Sequence, residues 1–183
     1  MKTLRLYILG LISSLALISC NDDDEFYNAV YIDSPGLAAI EVPAGGYAVN
    51  DNFNFSIAFS RFLAEPGQTT PLDLYKTSEA SSFGFNYYIE KKTGTDTWTT
   101  VFANEDEYRV GEIVYMPGTQ TYEFEESYPL TTTGEYRFRL GPNAYDLKKT
   151  DLVSRNPSNK TMVIITTSAN NINGEGYYYF TVN

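Results

Sequence analysis

Histidine is absent from the 183 residues and cysteine occurs once. Those two shortages close the Ser-His-Asp and Cys-His routes of nucleophilic catalysis, and with them zinc sites built on imidazole and thiolate. Basic residues are also scarce, 13 Lys and Arg against 23 Asp and Glu, which argues against nucleic acid, whose phosphates demand clustered cations. No phosphate loop or dinucleotide glycine fingerprint occurs, since Gly134 and Gly141 stand alone at strand ends. No segment keeps a 3.6-residue apolar period for three turns, so long helices are not expected.

Carboxylates are plentiful, and a pair of them can cut a glycosidic bond. The densest sets, Glu105-Asp106-Glu107 and Glu123-Phe124-Glu125-Glu126, read as solvated surface, because neighbouring acids repel and seek water. Asn104 to Asp106 offers oxygen ligands that would suit calcium, but EF-hand spacing is missing. No metal site or cofactor is assigned, and the chain reads as a non-enzyme.

What is present begins at the N-terminus. Met1-Lys2-Thr3-Leu4-Arg5 is a short cationic start, and Leu6 to Ile18 is almost wholly apolar. That is the layout of a secretory signal, too short for a spanning helix, which needs about 20 residues. The single cysteine follows at once. Leu17-Ile18-Ser19-Cys20 resembles the lipobox of bacterial lipoproteins, and the resemblance implies a cleaved signal over 1–19 and a lipidated Cys20 as the new first residue. A secreted protein with a free or buried thiol is the plainer alternative. Acylation would remove an oxidisable thiol, and several acyl chains would anchor the protein to a bilayer rather than thread it through.

Asn21-Asp22-Asp23-Asp24-Glu25 resembles the acidic export signal of lipoproteins from Bacteroidetes-type bacteria. On that resemblance Asp22, Asp23, Asp24 and Glu25 direct the protein to the cell-surface face of the outer membrane. A solvated tether over residues 20–28 is the other reading. Removing residues 1–19 takes away Lys2 and Arg5, so the 13 basic residues become 11 against an unchanged 23 acidic ones.

Residues 29–183 suit one domain, and 43% apolar content with 16 Tyr, 11 Phe and one Trp supplies a core. The periodicity is that of strands. Phe53 to Ser60 alternates apolar and polar, with Phe53, Phe55, Ile57 and Phe59 on one face. Phe83 to Glu90 and Thr97 to Phe102 flank a short polar link containing Gly94 and read as a hairpin. Further strands are expected over 121–128, 134–140, 161–167 and 177–182, each bounded by Gly, Pro, Asn or Ser. This pattern describes an all-β antiparallel sandwich.

"YYIEKKTGTDTWTTV" resembles the third-strand hairpin of fibronectin type III and related immunoglobulin-like domains, and "TTTGEYRFRL" resembles the strand that carries their corner tyrosine. The resemblance implies an immunoglobulin-like fold with Tyr136 as the corner residue, its hydroxyl bonded to the chain just upstream, and Trp98 packed near the core. "EFYNAVYIDSPG" resembles the opening of immunoglobulin-like modules of unknown function in Bacteroidetes surface lipoproteins, several of them encoded with glycan-utilisation systems.

Aromatics are the remaining candidates for function. In Tyr177-Tyr178-Tyr179-Phe180 the two-residue strand period sends Tyr177 and Tyr179 to one face, Tyr178 and Phe180 to the other. One face is core; the other is either covered by a loop or forms a platform on which sugar rings stack, with Asn171 and its neighbours Asn170 and Asn173 to bind hydroxyls. The stretch Gly141 to Lys160, which holds Tyr145, lacks clear periodicity and is long for a compact domain, so disorder and a binding loop both stand. Two functions follow: a non-catalytic surface module for glycan or a partner protein, or a structural or adhesive subunit acting through strand-edge pairing.

Overall fold

A computed structural model describes residues 28–64, 67–102 and 107–183. The signal and lipobox region, Cys20 and the acidic run Asp22 to Glu25 lie outside the described residues, as does the candidate calcium loop Asn104 to Asp106. The protein is nearly all β, with 53% of residues in strands and 3% in helix. In chain order the elements are β1 (Asn28–Asp33), β2 (Ala38–Ile40), β3 (Asn52–Ser60), β4 (Phe62–Leu63), β5 (Leu72–Asp73), α1 (Leu74–Ser78), β6 (Ser82–Lys92), β7 (Trp98–Thr100), β8 (Arg109–Met116), β9 (Thr121–Pro129), β10 (Gly134–Leu140), β11 (Thr150–Ser154), β12 (Thr161–Thr167) and β13 (Tyr178–Val182).

Eleven strands form one curled sheet whose main path is β1-β12-β11-β6-β8-β9-β3-β2, with β10 and β7 also on β6 and β13 on β10. Short β4 and β5 pair separately. β1 runs parallel to β12 from Asn28 opposite Thr161 to Asp33 opposite Thr166. The sheet is therefore mixed, which departs from the antiparallel expectation at its first strand.

β6 organises the fold because it is long enough to serve two sets of neighbours. Its first half pairs with β8 on one edge and β11 on the other, and its second half with β7 and β10. The alternation that marks each strand decides what is buried: Phe53, Phe55, Ile57 and Phe59 of β3 and Phe83, Phe85, Tyr87 and Ile89 of β6 all point inward. The sheet curls far enough for β3 to meet β10 and β13 across the core. Phe55 lies 4.7 Å from Phe138, centroid to centroid, and Phe53 lies 5.2 Å from it. Such ring pairs add about 0.5–1.5 kcal/mol each beyond the area they bury.

The Tyr136 hydroxyl does bond to the chain just upstream. Tyr136 is buried and its Oη donates to the Thr132 carbonyl over 2.8 Å. Trp98 is a correction. It is partly exposed on the outer face of the sheet rather than packed near the core, because β7 joins β6 with Trp98 opposite Lys92, an outward position. The stretch 141–160 is corrected as well: its second half contains β11, which pairs with both β12 and β6.

Candidate functional site

Two of the four aromatics of the C-terminal run face inward. Phe180 is buried, and Tyr178 packs on the core cluster and stacks on Phe180. Tyr177 and Tyr179 face out, Tyr177 partly exposed and Tyr179 at 45%. Pairing with β10 sets Tyr179 opposite Arg137, and β10 in turn sets Arg137 opposite Glu90 and Arg139 opposite Tyr88 on β6. The outer face is thereby a ladder of rings and guanidinium groups. Arg137 lies 4.5 Å from the Trp98 centroid and 4.4 Å from that of Tyr177, and Arg139 lies 4.3 Å from Tyr88 and 5.2 Å from Tyr177. Trp98 meets Tyr179 edge-on at 5.6 Å, and Tyr88 meets Tyr108 at 5.7 Å.

The two arginines are held differently. Arg137 donates to both oxygens of Glu90, from Nε over 2.7 Å and from Nη2 over 3.0 Å. Burial works against its charge, but the bonds to Glu90 outweigh it and the pKa lies above the ordinary guanidinium value. Arg139 has no carboxylate partner among the described residues, and its Nε is buried without an acceptor.

Beside the ladder lies a groove of about 600 Å³. It exists because β10 and β11 leave the same edge of β6 at different heights: β11 pairs at Phe83 and Gly84, β10 only from Tyr87 onward. Asn86 stands exposed between them, its carbonyl accepting from Gly141 N over 2.7 Å. A Cβ at Gly141 would come within 2.9 Å of the Asn86 Cβ, so the close approach requires glycine. Gly84, Asn86, Tyr88, Asn143, Asp151 and Arg155 supply the floor and polar wall. Asn143 Nδ2 donates to both oxygens of Asp151 over 2.8 and 2.7 Å, and Thr166 Oγ1 donates to Oδ1 over 2.7 Å.

Groove and ladder are continuous. Tyr88 belongs to both, and the segment 141–149 that walls the groove packs its Leu147 carbonyl against Gly176, the residue before Tyr177. At Gly176 φ is +84°, and a side chain would strike that carbonyl. Tyr145 sits on the far side of this wall, 97% exposed, in a smaller cavity of about 390 Å³ that shares Asn143 with the groove.

The asparagines expected to serve the platform do other work. Asn170 Oδ1 accepts from Ile40 N over 2.6 Å, and Asn173 Oδ1 accepts from the backbone of Glu175 and Tyr177, both over 2.9 Å. Asn171 sits in a turn with φ of 59° and makes no hydrogen bond among the described residues. Asn173 thus shapes the turn into β13, while Asn170 ties the chain to β2. Tyr88, Trp98, Arg137, Arg139 and Asn86 are the site residues that sequence reasoning passed over. The alternation of "YRFRL" put Arg137 and Arg139 on one face, but only strand pairing lays that face beside the tyrosines.

β13 is not a bare edge. β10 occupies one side, and on the other Tyr47 bridges to Val182, its carbonyl accepts from Asn183 N over 3.0 Å, and Val49 N donates to the Asn183 carbonyl over 3.2 Å. Among the described residues no group of three or more Cys, Asp and Glu could hold a metal ion, and no helix is long and apolar enough to cross a membrane. No protein-family model matches the chain, and neither a curated protein nor a solved structure is significantly similar to it.

Proposed function

We propose that this protein is a non-catalytic module displayed on the outer membrane by a lipid on Cys20, and that it binds glycan at the groove between β10 and β11. The observation that carries the reading is the groove itself: about 600 Å³ of open concavity with a partly exposed ring, Tyr88, at one side and the exposed amide of Asn86 beside it. That volume lies within the usual range for small-molecule sites. A ring and a few fixed polar groups are what a sugar needs, since its C–H face stacks and its hydroxyls hydrogen-bond. The curled sheet with its Tyr136 to Thr132 bond supports an immunoglobulin-like assignment, and such folds commonly carry ligands on exposed loops and faces.

The acidic residues 22–25 fit an export signal that places this groove outside the cell. Weak affinity for each short oligosaccharide would be offset by multivalent display. Strand-edge pairing through β13 has less support, because residues 47–49 already cover part of its outer edge. A glycan-array screen of a soluble form starting at residue 26 tests the proposal. Binding by at least one glycan class, lost in Tyr88→Ala without a change in thermal midpoint, is expected; a folded protein that binds none would overturn it.

A further inference from the structure

We infer that the groove selects a carboxylate-bearing sugar, which rests on the glycan reading above and narrows it to acidic saccharides. The inference comes from which charges in and around the groove are already engaged. The only carboxylate that lines it among the described residues, Asp151, receives two hydrogen bonds from Asn143 and one from Thr166. Those bonds take three of its roughly four acceptor positions and leave little to receive the hydroxyls of a neutral sugar.

The cation is the reverse. Arg155 lies over Gly84, where a Cβ would come within 2.6 Å of its Nη2, and its guanidinium has no hydrogen bond or ion pair among the described residues. Outside the lining, beyond Tyr88, Arg139 lies 4.3 Å from the Tyr88 ring, also without a carboxylate among the described residues, with its Nε buried and unpaired. The contrast is with Arg137 on the same face, which Glu90 holds at both oxygens. Glu112, paired opposite Gly84 on the same outward face, accepts from Ser82 Oγ over 2.7 Å and forms no ion pair with Arg155. Only the Arg139 Nε is taken from water without an acceptor, which is costly; Arg155 is exposed and open to a ligand, and the group that matches either planar fork is a carboxylate.

Geometry also says how a ligand would lie. Gly84 and Tyr88 are outward positions of the same strand, four residues apart, so the two guanidinium groups stand over points roughly 13 Å apart at about 3.3 Å per residue. Exposed Asn86 lies between them. An extended acidic oligosaccharide could meet one cation with each of two carboxylates and the amide with a hydroxyl.

The test uses the full-length chain in detergent, titrated by calorimetry with a panel of polyuronates and other acidic polysaccharides and with the carboxyl-reduced form of each. At least one acidic member should bind at least tenfold more tightly than its reduced form, and this preference should weaken as salt is raised. Arg155→Gln should lose tenfold or more of that affinity at an unchanged thermal midpoint. If Arg155→Gln shifts the midpoint, Arg155→Lys decides, because it keeps the charge and removes the fork; a several-fold loss is expected. Equal binding of native and reduced forms overturns the inference and leaves the glycan reading standing, as does preference for a sulphated member that carboxyl reduction leaves unchanged. Unaltered affinity in both Arg155 variants removes Arg155 from the site. No binding by any acidic or reduced member overturns the inference, and the array screen with neutral glycans then decides the broader reading separately.

Discussion

The rings of Phe180 and Phe53 lie 4.9 Å apart and within 8° of parallel, while the preceding residue of β13, Tyr179, faces solvent at 45% exposure. One strand thus holds a stacked aromatic contact of the core and part of the outer ladder. The double substitution Tyr178→Ala and Phe180→Ala should therefore unfold the domain or cost well over the ~3–5 kcal/mol of one Phe→Ala change. Tyr177→Ala with Tyr179→Ala should leave it folded, at a cost nearer ~1–2 kcal/mol from lost ring and cation contacts. Thermal melts of the two double mutants check this; comparable losses would mean that the strand has no solvent face.

Tyr136 and Trp98 should separate in the same way. Tyr136→Phe removes a buried hydroxyl that donates to Thr132, for a loss of about 1 kcal/mol. Trp98→Ala removes a ring that touches Arg137, Lys92 and Tyr179 on the outer face, and should cost about 1–2 kcal/mol rather than the ~3–5 of a core tryptophan. Denaturant titration measures both. A loss above ~3 kcal/mol at Trp98 would put it back in the core.

How much of this was legible follows from what each strand buries. β3 and β6 announced themselves because one face is aromatic and the other polar. β8 did not, since Val110, Val114 and Met116 face solvent at 57%, 45% and 45% exposure, and apolar residues on both faces erase the two-residue signal. β11 hid for the opposite reason: its inward residues Thr150 and Ser154 are polar yet buried, with Ser154 Oγ accepting from Val163 N over 2.8 Å. The two faces of β13 were readable from alternation alone, and which of them is core was not. The groove was unreadable, because it arises where two strands far apart in sequence part company along a third.

Gly111 is the inward residue that β8 cannot vary. The Phe85 ring occupies the space where its Cβ would stand, so Gly111→Ala forces the ring from its place among Phe55, Tyr87 and Phe124. Overpacking of this kind costs about 1–3 kcal/mol, which calorimetric melting would register. The double substitution Gly111→Ala with Phe85→Leu should recover part of the loss. A neutral Gly111→Ala would mean that the ring has room to move.

The anchor has its own test. Cys20→Ala should release the protein from the membrane fraction while leaving the melting profile of the sheet unchanged, because the lipid acts on location and not on the core. An unmodified Cys20 in the mass spectrum of the native protein would contradict it. Replacing Asp22, Asp23, Asp24 and Glu25 with Ala should keep the lipid but leave the chain facing the periplasm, protected from protease added to intact cells. Unchanged sensitivity would reduce the run to a tether.

Alkaline pH should expose the cost of the buried tyrosines. Tyr47, Tyr87 and Tyr122 are at most 3% exposed, and burial is the largest cause holding each hydroxyl above the ordinary value of 10.0. Each also donates to an oxygen: Tyr47 to the Glu41 carbonyl over 2.7 Å, Tyr87 to Glu126 Oε2 over 2.7 Å, and Tyr122 to the Ala80 carbonyl over 3.0 Å. A phenolate at any of these places would lose its donor bond and face an acceptor. The folded chain therefore keeps protons that the unfolded chain gives up from about pH 10, so the stability these groups contribute is complete below pH 10 and is lost as pH rises towards the folded values. The slope should approach about 1.4 kcal/mol per pH unit for each tyrosine. Lys149, whose hydrogen bond to Asp33 holds it above the ordinary lysine value, also titrates at high pH, so the decisive quantity is a difference between variants. Tyr122→Phe should cost about 1 kcal/mol at pH 7 and fall less steeply than the wild type above pH 10. Urea unfolding from pH 8 to pH 12, followed with the tyrosinate absorbance, measures both. Parallel curves for the two proteins would show that the Tyr122 hydroxyl ionises without regard to the fold around it.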